Sequence, residues 1–170
     1  MKLEEFIKDV PDFPKKGILF KDITPILQDS QAYEYVVKEI ADYGNNLGAN
    51  VVVGPESRGF IFGCPAAIKM NRGFVPVRKP GKLPRETVQE SYALEYGFDT
   101  LEMHKDALGE GDKVLIVDDL LATGGTLEAI TKMVNKLGAE VVGIFTVIEL
   151  VDLKGREKLK DYNVKSLLKY

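Results

Sequence analysis

Val114 to Thr126, VLIVDDLLATGGT, is the segment that most narrows what this chain can fold into. Val114 to Val117 is an apolar, β-branched run, too short for a helix and typical of a strand covered on both faces of a parallel sheet. Asp118 and Asp119 follow at its carboxyl end, where open α/β sheets bind their ligands. The next turn, Ala122, Thr123, Gly124, Gly125 and Thr126, lacks bulk, so several backbone N–H groups can converge on one anion while two threonine hydroxyls add donors. A helix opening near Gly125 contributes its positive dipole end, and the whole reads as a phosphate cradle.

Two acids beside a phosphate cradle would repel an anion that brought nothing else. A ribose 5-phosphate resolves the conflict: its phosphate takes the cradle while Asp118 and Asp119 accept hydrogen bonds from the ring 2- and 3-hydroxyls, directly or through a hard cation such as Mg²⁺. No Lys follows the glycines, which excludes a Walker P-loop, and no G-x-G-x-x-G is present, which excludes a Rossmann fingerprint.

A chain of 170 residues with 45% hydrophobic content can bury one sizeable core, so a single domain over 1–170 is expected. Met1 to Val10 reads as a charged amphipathic helix rather than a signal peptide. No apolar stretch approaches the roughly 20 residues that span a bilayer, so no membrane partner and a cytoplasmic location are expected. A net charge of -3 argues against nucleic acid as a partner. Cys64, alone in IFGCPAAI, is expected to be a small buried hydrophobe, and His104, in TLEMHKD, a structural histidine without a second His to complete a ligand set.

Apolar periodicity predicts helices at about Gln31 to Tyr43, Gly59 to Met70 and Leu127 to Leu137. Strands are predicted at Val51 to Val53, Phe74 to Val77, Val114 to Val117 and Val141 to Ile148. Such alternation implies an α/β fold, a mostly parallel twisted sheet with helices on both faces. Two further loops invite anions. Glu56, Ser57, Arg58 and Gly59 stand at a second strand-to-helix junction. RKPGKLPR, from Arg78 to Arg85, carries four cations, no acid, and prolines that bar it from a helix or central strand. Alone it reads as a solvated basic loop; beside a phosphate cradle it suits a pyrophosphate.

VLIVDDLLATGGT, together with PDFPKKGILFKDITPIL, ESRGFIFG, RKPGKLP, SYALEYG and ELVDLKGREKL, these five in chain order and the match covering essentially the whole chain, resembles the type I phosphoribosyltransferase family. The first motif alone leaves several purine and pyrimidine enzymes open; PDFP-x-x-G-x-x-F-x-D-I with SYALEYG resembles the adenine-specific members. The resemblance implies transfer of the 5-phosphoribosyl group from phosphoribosyl pyrophosphate to adenine, giving AMP and pyrophosphate, in a homodimer. It implies a small hood built from residues about 1–28 and 149–170, with Mg²⁺ as cofactor, carried by the substrate rather than by a protein cage.

Residue by residue, it implies that Leu19 and Lys21 offer main-chain groups to the purine edge while Phe20 covers one ring face. Glu56, Ser57 and Arg58 would hold pyrophosphate around a cis peptide that does not precede proline, with Lys79 and Lys82 reaching over the leaving group. Glu95 would manage a purine proton or balance developing charge; with Asp118, Asp119 and Arg58 it completes the expected catalytic set. Two other classes remain from the residues: a fold relative that senses ligand and binds nucleic acid, for which the chain is short and acidic, and a transferase acting on xanthine, hypoxanthine or orotate.

Overall fold

The computed structural model describes residues 1–94 and 96–170. Its centre is a five-stranded, wholly parallel sheet formed by β3 (Val51–Pro55), β4 (Gly73–Val77), β7 (Lys113–Leu121), β8 (Glu140–Glu149) and β9 (Val164–Lys169), in the order β4-β3-β7-β8-β9. Two antiparallel ribbons stand outside it, β1 (Lys8–Pro11) with β2 (Leu19–Asp22), and β5 (Thr87–Ala93) with β6 (Phe98–His104). The helices are α1 (Thr24–Gln28), α2 (Ser30–Asn46), α3 (Arg58–Lys69) and α4 (Gly125–Lys136). Among the described residues no helix is long and apolar enough to cross a membrane.

Period-two alternation along the strands divides the interior into two cores. Val52, Leu115, Val117, Phe145 and Val147 point to the side covered by α2 and α3. Val53, Val114, Ile116, Val141 and Ile144 point to the side covered by α4 and by Leu101 and Met103 of β6. The expected helices on both faces are therefore present, with a β-ribbon completing one face.

The strand order places the site. β3 and β7 are neighbours from which the sheet grows outward in opposite directions, which is the switch point where open α/β sheets form a crevice. Pairing between them stops at Val53 and Ile116, although β3 runs to Pro55 and β7 to Leu121. Strand β7 thus carries Asp118 and Asp119 within it, beyond the Val117 boundary expected from the apolar run, because its other edge stays paired with β8 as far as Leu121 and Glu149.

Three local expectations are corrected. Met1 to Val10 is a short 3-10 turn at Leu3–Phe6 followed by β1: Leu3 is its one fully buried side chain, and Lys8 onward is drawn into pairing with β2. Cys64 is exposed, since the buried stripe of α3 is Gly59, Phe62, Gly63, Ala66 and Ala67, and position 64 falls off it. The stretch after Glu149 forms two 3-10 turns and then β9, the outer strand of the main sheet, before Tyr170 reaches Lys21 of the β1–β2 ribbon, whose Nζ lies 4.1 Å from the ring centroid.

Phe145 is wholly buried on β8 with the Tyr43 ring 5.7 Å away, while Ile68 on α3 is 79% exposed. Phe145→Ala should lower unfolding free energy by about 3 to 5 kcal/mol, through lost burial and a cavity. Ile68→Ala should stay within about 0.5 kcal/mol. Denaturant titration of both variants checks the assignment of core and surface.

Candidate active site

Two adjoining cavities lie outside the carboxyl ends of β3 and β7. One, about 200 Å³, is lined by Asp118, Asp119, Ala122, Thr123, Gly124 and Thr126. The other, about 170 Å³, is lined by Glu56, Ser57, Lys79, Tyr92 and Leu101. Arg58, Asp118, Asp119 and Thr126 border both, so the predicted cradle and the predicted pyrophosphate loop share one crevice.

The turn after β7 delivers its N–H groups through a left-handed residue. Gly124 caps α4 with φ of 89°, which an L side chain rarely adopts, and its neighbours leave no room for one: a Cβ there would sit 2.6 Å from the Gly155 carbonyl oxygen. A Cβ on Gly125 would meet the Tyr92 ring at 2.8 Å. The smallness of this turn therefore serves packing as well as the phosphate access expected from the sequence. Gly155 is held beneath it by Arg156, whose guanidinium donates to both carboxylate oxygens of Glu149, at 3.1 and 2.6 Å, and to the Val164 carbonyl at 2.9 Å. The ELVDLKGREKL segment thus braces the cradle from below.

Asp119 is 5% exposed and pairs with Arg58, 3.0 Å between Oδ2 and Nε. Asp118 accepts the Asp119 backbone N–H at 2.8 Å. Desolvation, and then the Asp119 charge beside it, push the Asp118 carboxyl well above the usual carboxylate range. From Asp119 the Arg58 guanidinium extends to Phe20, its Cζ 5.7 Å from the ring centroid, so one side chain links the end of β7 to the β1–β2 ribbon. Phe13 packs edge-on against the same ring at 5.1 Å. Strand β2 has one partner strand, β1, which leaves the main chain of one edge without a ladder partner among the described residues.

The Glu56–Ser57 peptide is cis, as the resemblance implied. The Glu56 side chain organises the basic loop: its Oε1 accepts the Lys79 backbone N–H at 2.7 Å and Arg78 Nε–H at 3.3 Å, and Oε2 lies 3.9 Å from Lys82 Nζ. The Lys79 N–H above all holds the Glu56 carboxyl below its ordinary range. Lys79 lines the cavity; Lys82 stands back beside Glu56. Sequence reasoning missed Tyr92, whose hydroxyl accepts from Thr126 at 3.1 Å and donates to Asp99 at 3.1 Å, and it missed Asp99 itself. Tyr92 lay within the quoted SYALEYG, but only the ribbon pairing that sets it opposite Asp99 reveals the contact. Glu95 lies outside the described residues. Among the described residues no group of three His, Cys, Asp or Glu side chains stands together to cage a metal.

The Asp118 environment carries a pH signature. A carboxyl whose folded pKa is raised contributes stability that is present below its unfolded pKa and lost as pH rises through the folded one. Asp118→Asn, which can keep the Asp119 N–H bond, should therefore raise Tm at neutral pH, and the gain should vanish on acidification into the ordinary carboxylate range. Thermal melts across pH check this; a wild type more stable than the variant at neutral pH would refute the assignment.

The family profile of the phosphoribosyl transferase domain matches residues 24–170. The adenine phosphoribosyltransferase of Halothermothrix orenii is 55% identical over 168 residues, 99% of each chain. The crystal structure of adenine phosphoribosyltransferase from Thermoanaerobacter pseudethanolicus matches with a TM-score of 0.96 at 51% identity, covering 99% of this chain and 98% of that one. The Saccharomyces cerevisiae enzyme, crystallised with adenine and D-2,5-dideoxy-2,5-imino-altritol 1,6-bisphosphate, matches with a TM-score of 0.92 at 39% identity, covering 98% and 96%. With a crevice at the β3/β7 switch point, adjacent acids over a helix-capped turn and relatives of this similarity over their full length, the chain belongs to the type I phosphoribosyltransferase family, among its adenine phosphoribosyltransferases.

Proposed function

We propose that the protein transfers the 5-phosphoribosyl group of phosphoribosyl pyrophosphate to adenine, giving AMP and pyrophosphate, in purine salvage. The observation that carries this is the placement of Asp118 and Asp119 beside the Ala122–Thr126 turn, joined through Arg58 to the Phe20 ring. The 5-phosphate takes the N–H groups of that turn and the end of α4, and the ribose hydroxyls donate to Asp118 and Asp119. Adenine stacks on Phe20, with main-chain groups of Leu19 and Lys21 at its edge. A carbonyl there accepts from the 6-amino group and repels a 6-oxo group.

In the reaction the bond from ribose C1 to the pyrophosphate oxygen breaks as the bond to a purine ring nitrogen forms, and that nitrogen loses its proton. The transition state has oxocarbenium character, so the protein acts chiefly by electrostatics. Asp118 and Asp119 hold the ribose, Lys79 and Arg58 face the departing pyrophosphate with Lys82 reaching in from beside Glu56, and Ser57 with the Glu56 main chain lines its path. The β1–β2 ribbon and the turns that follow Glu149 limit water at the reacting carbon. Glu95 takes the role of managing the purine proton.

The donor set suits Mg²⁺ brought by the substrate: Asp118 and Asp119 are hard oxygen ligands too few for a cage, and Asp119 is already paired with Arg58. Bound there with substrate oxygens, the ion would supply charge stabilisation to the leaving pyrophosphate. The homodimer implied by the resemblance and the cytoplasmic location expected from the sequence belong to the same proposal.

Pyrophosphate release measured with a panel of bases tests the reading: adenine should be turned over well above hypoxanthine, guanine, xanthine and orotate, and equal rates would overturn it. Asp119→Asn should lower kcat/KM for phosphoribosyl pyrophosphate by roughly ten- to a hundredfold, the worth of a charged hydrogen bond. Phe20→Ala should raise the KM for adenine, by about 1 to 3 kcal/mol of lost stacking, and leave that for phosphoribosyl pyrophosphate nearly unchanged.

A further inference from the structure

Lys79 reaches the cavity from a loop whose backbone Glu56 fixes, but its ammonium group is held by Asp99 of β6, which does not line the cavity. The carboxylate of Asp99 is anchored from other directions too. Its Oδ2 accepts the Tyr92 hydroxyl at 3.1 Å, and its Oδ1 accepts the Thr100 N–H at 3.0 Å. Tyr92 is itself fixed, its ring against Gly125 and its hydroxyl accepting from Thr126 in the cradle. In the Lys79–Asp99 pair the acid is thus the rigid partner and the lysine, on a long flexible stem, the movable one. The side chains are 41% and 30% exposed, so the pair is partly withdrawn from water and competes for the lysine more strongly than a surface contact would.

We propose that Asp99 is a positioning residue that occupies the Lys79 ammonium group in place of a substrate pyrophosphate and thereby weakens the hold of the enzyme on pyrophosphate. The inference rests on the reading of Lys79 as a pyrophosphate contact. An ammonium group bound to a fixed carboxylate must give up that partner to meet a diphosphate oxygen, so the energy of the pair is subtracted from ground-state binding. The same subtraction favours release of the product. Because Glu56 holds the Lys79 main chain independently, removing the Asp99 charge frees the side chain without freeing the loop.

Calorimetric titration of the full chain with inorganic pyrophosphate and Mg²⁺ tests this on the wild type, Asp99→Asn, Asp99→Ala, Lys79→Ala and the double variant Lys79→Ala with Asp99→Asn. AMP affinity serves as the measure of an intact cradle. Both Asp99 variants should bind pyrophosphate about two- to fivefold tighter than wild type with AMP affinity unchanged, the worth of a partly exposed pair. Lys79→Ala should bind it more weakly, and adding Asp99→Asn to Lys79→Ala should change nothing, which a general structural effect of position 99 would not produce. Asp99 variants that bind pyrophosphate no tighter, or a gain that survives in the Lys79→Ala background, would overturn the proposal. Wild-type pyrophosphate affinity in Lys79→Ala would instead remove Lys79 from the pyrophosphate site, and the present inference with it.

Discussion

At the end of β7 two adjacent carboxylates stand where the sheet opens, and the only guanidinium paired with them among the described residues is that of Arg58, 3.0 Å from Asp119. Burial, and then the charge of the adjacent Asp119, make Asp118 hold its proton more strongly than an ordinary carboxyl. The surrounding architecture keeps them there nonetheless. Strand β7 is paired with β8 through Leu121, Arg58 is delivered by the first turn of α3, and the turn that follows is wedged between Gly155 and Tyr92. A site under such strain in its free state is relieved by a ligand that brings hydroxyl donors to the acids and negative charge to the turn, as a ribose phosphate does.

The positively charged side of the crevice is organised by the opposite means. Lys79, Arg78 and Lys82 each have an acid near them, Glu56 or Asp99, so the cations that face a highly charged substrate are already compensated within the protein. This keeps the loop from self-repulsion and fixes its path over Glu56. On the proposed reading of the loop, substrate binding there is an exchange of partners rather than the filling of an empty field. The end of β7 and the β1–β2 ribbon are linked through one side chain, since Arg58 touches Asp119 at one end and Phe20 at the other.

Much of this was legible in the sequence because it is local. Val114 to Thr126 announces its strand, acids and helix-starting turn within one short run, and Glu56 to Gly59 does the same after β3. What stayed hidden depends on partners distant along the chain. The charged spacing of Met1 to Val10 suits a helix, yet β1 forms because β2 is there to pair with it. Cys64 has apolar neighbours in sequence but falls off the buried stripe of its helix. The β5–β6 ribbon sets Tyr92 opposite Asp99 across a register that no local pattern encodes, and the brace of Glu149 and Arg156 matters because it carries Gly155 to the cradle. The side-chain use of Glu56 likewise follows from where the Arg78–Arg85 loop lands.

The central claim is that the end of β7 and the start of α4 read a ribose 5-phosphate. A crystal structure with AMP bound tests it most directly. The account predicts the phosphate within hydrogen-bond distance of the main-chain N–H groups between Ala122 and Thr126, the ribose hydroxyls on Asp118 and Asp119, and the purine against Phe20. A phosphate seated away from that turn, or a ribose that leaves both acids without a hydroxyl partner, would contradict it.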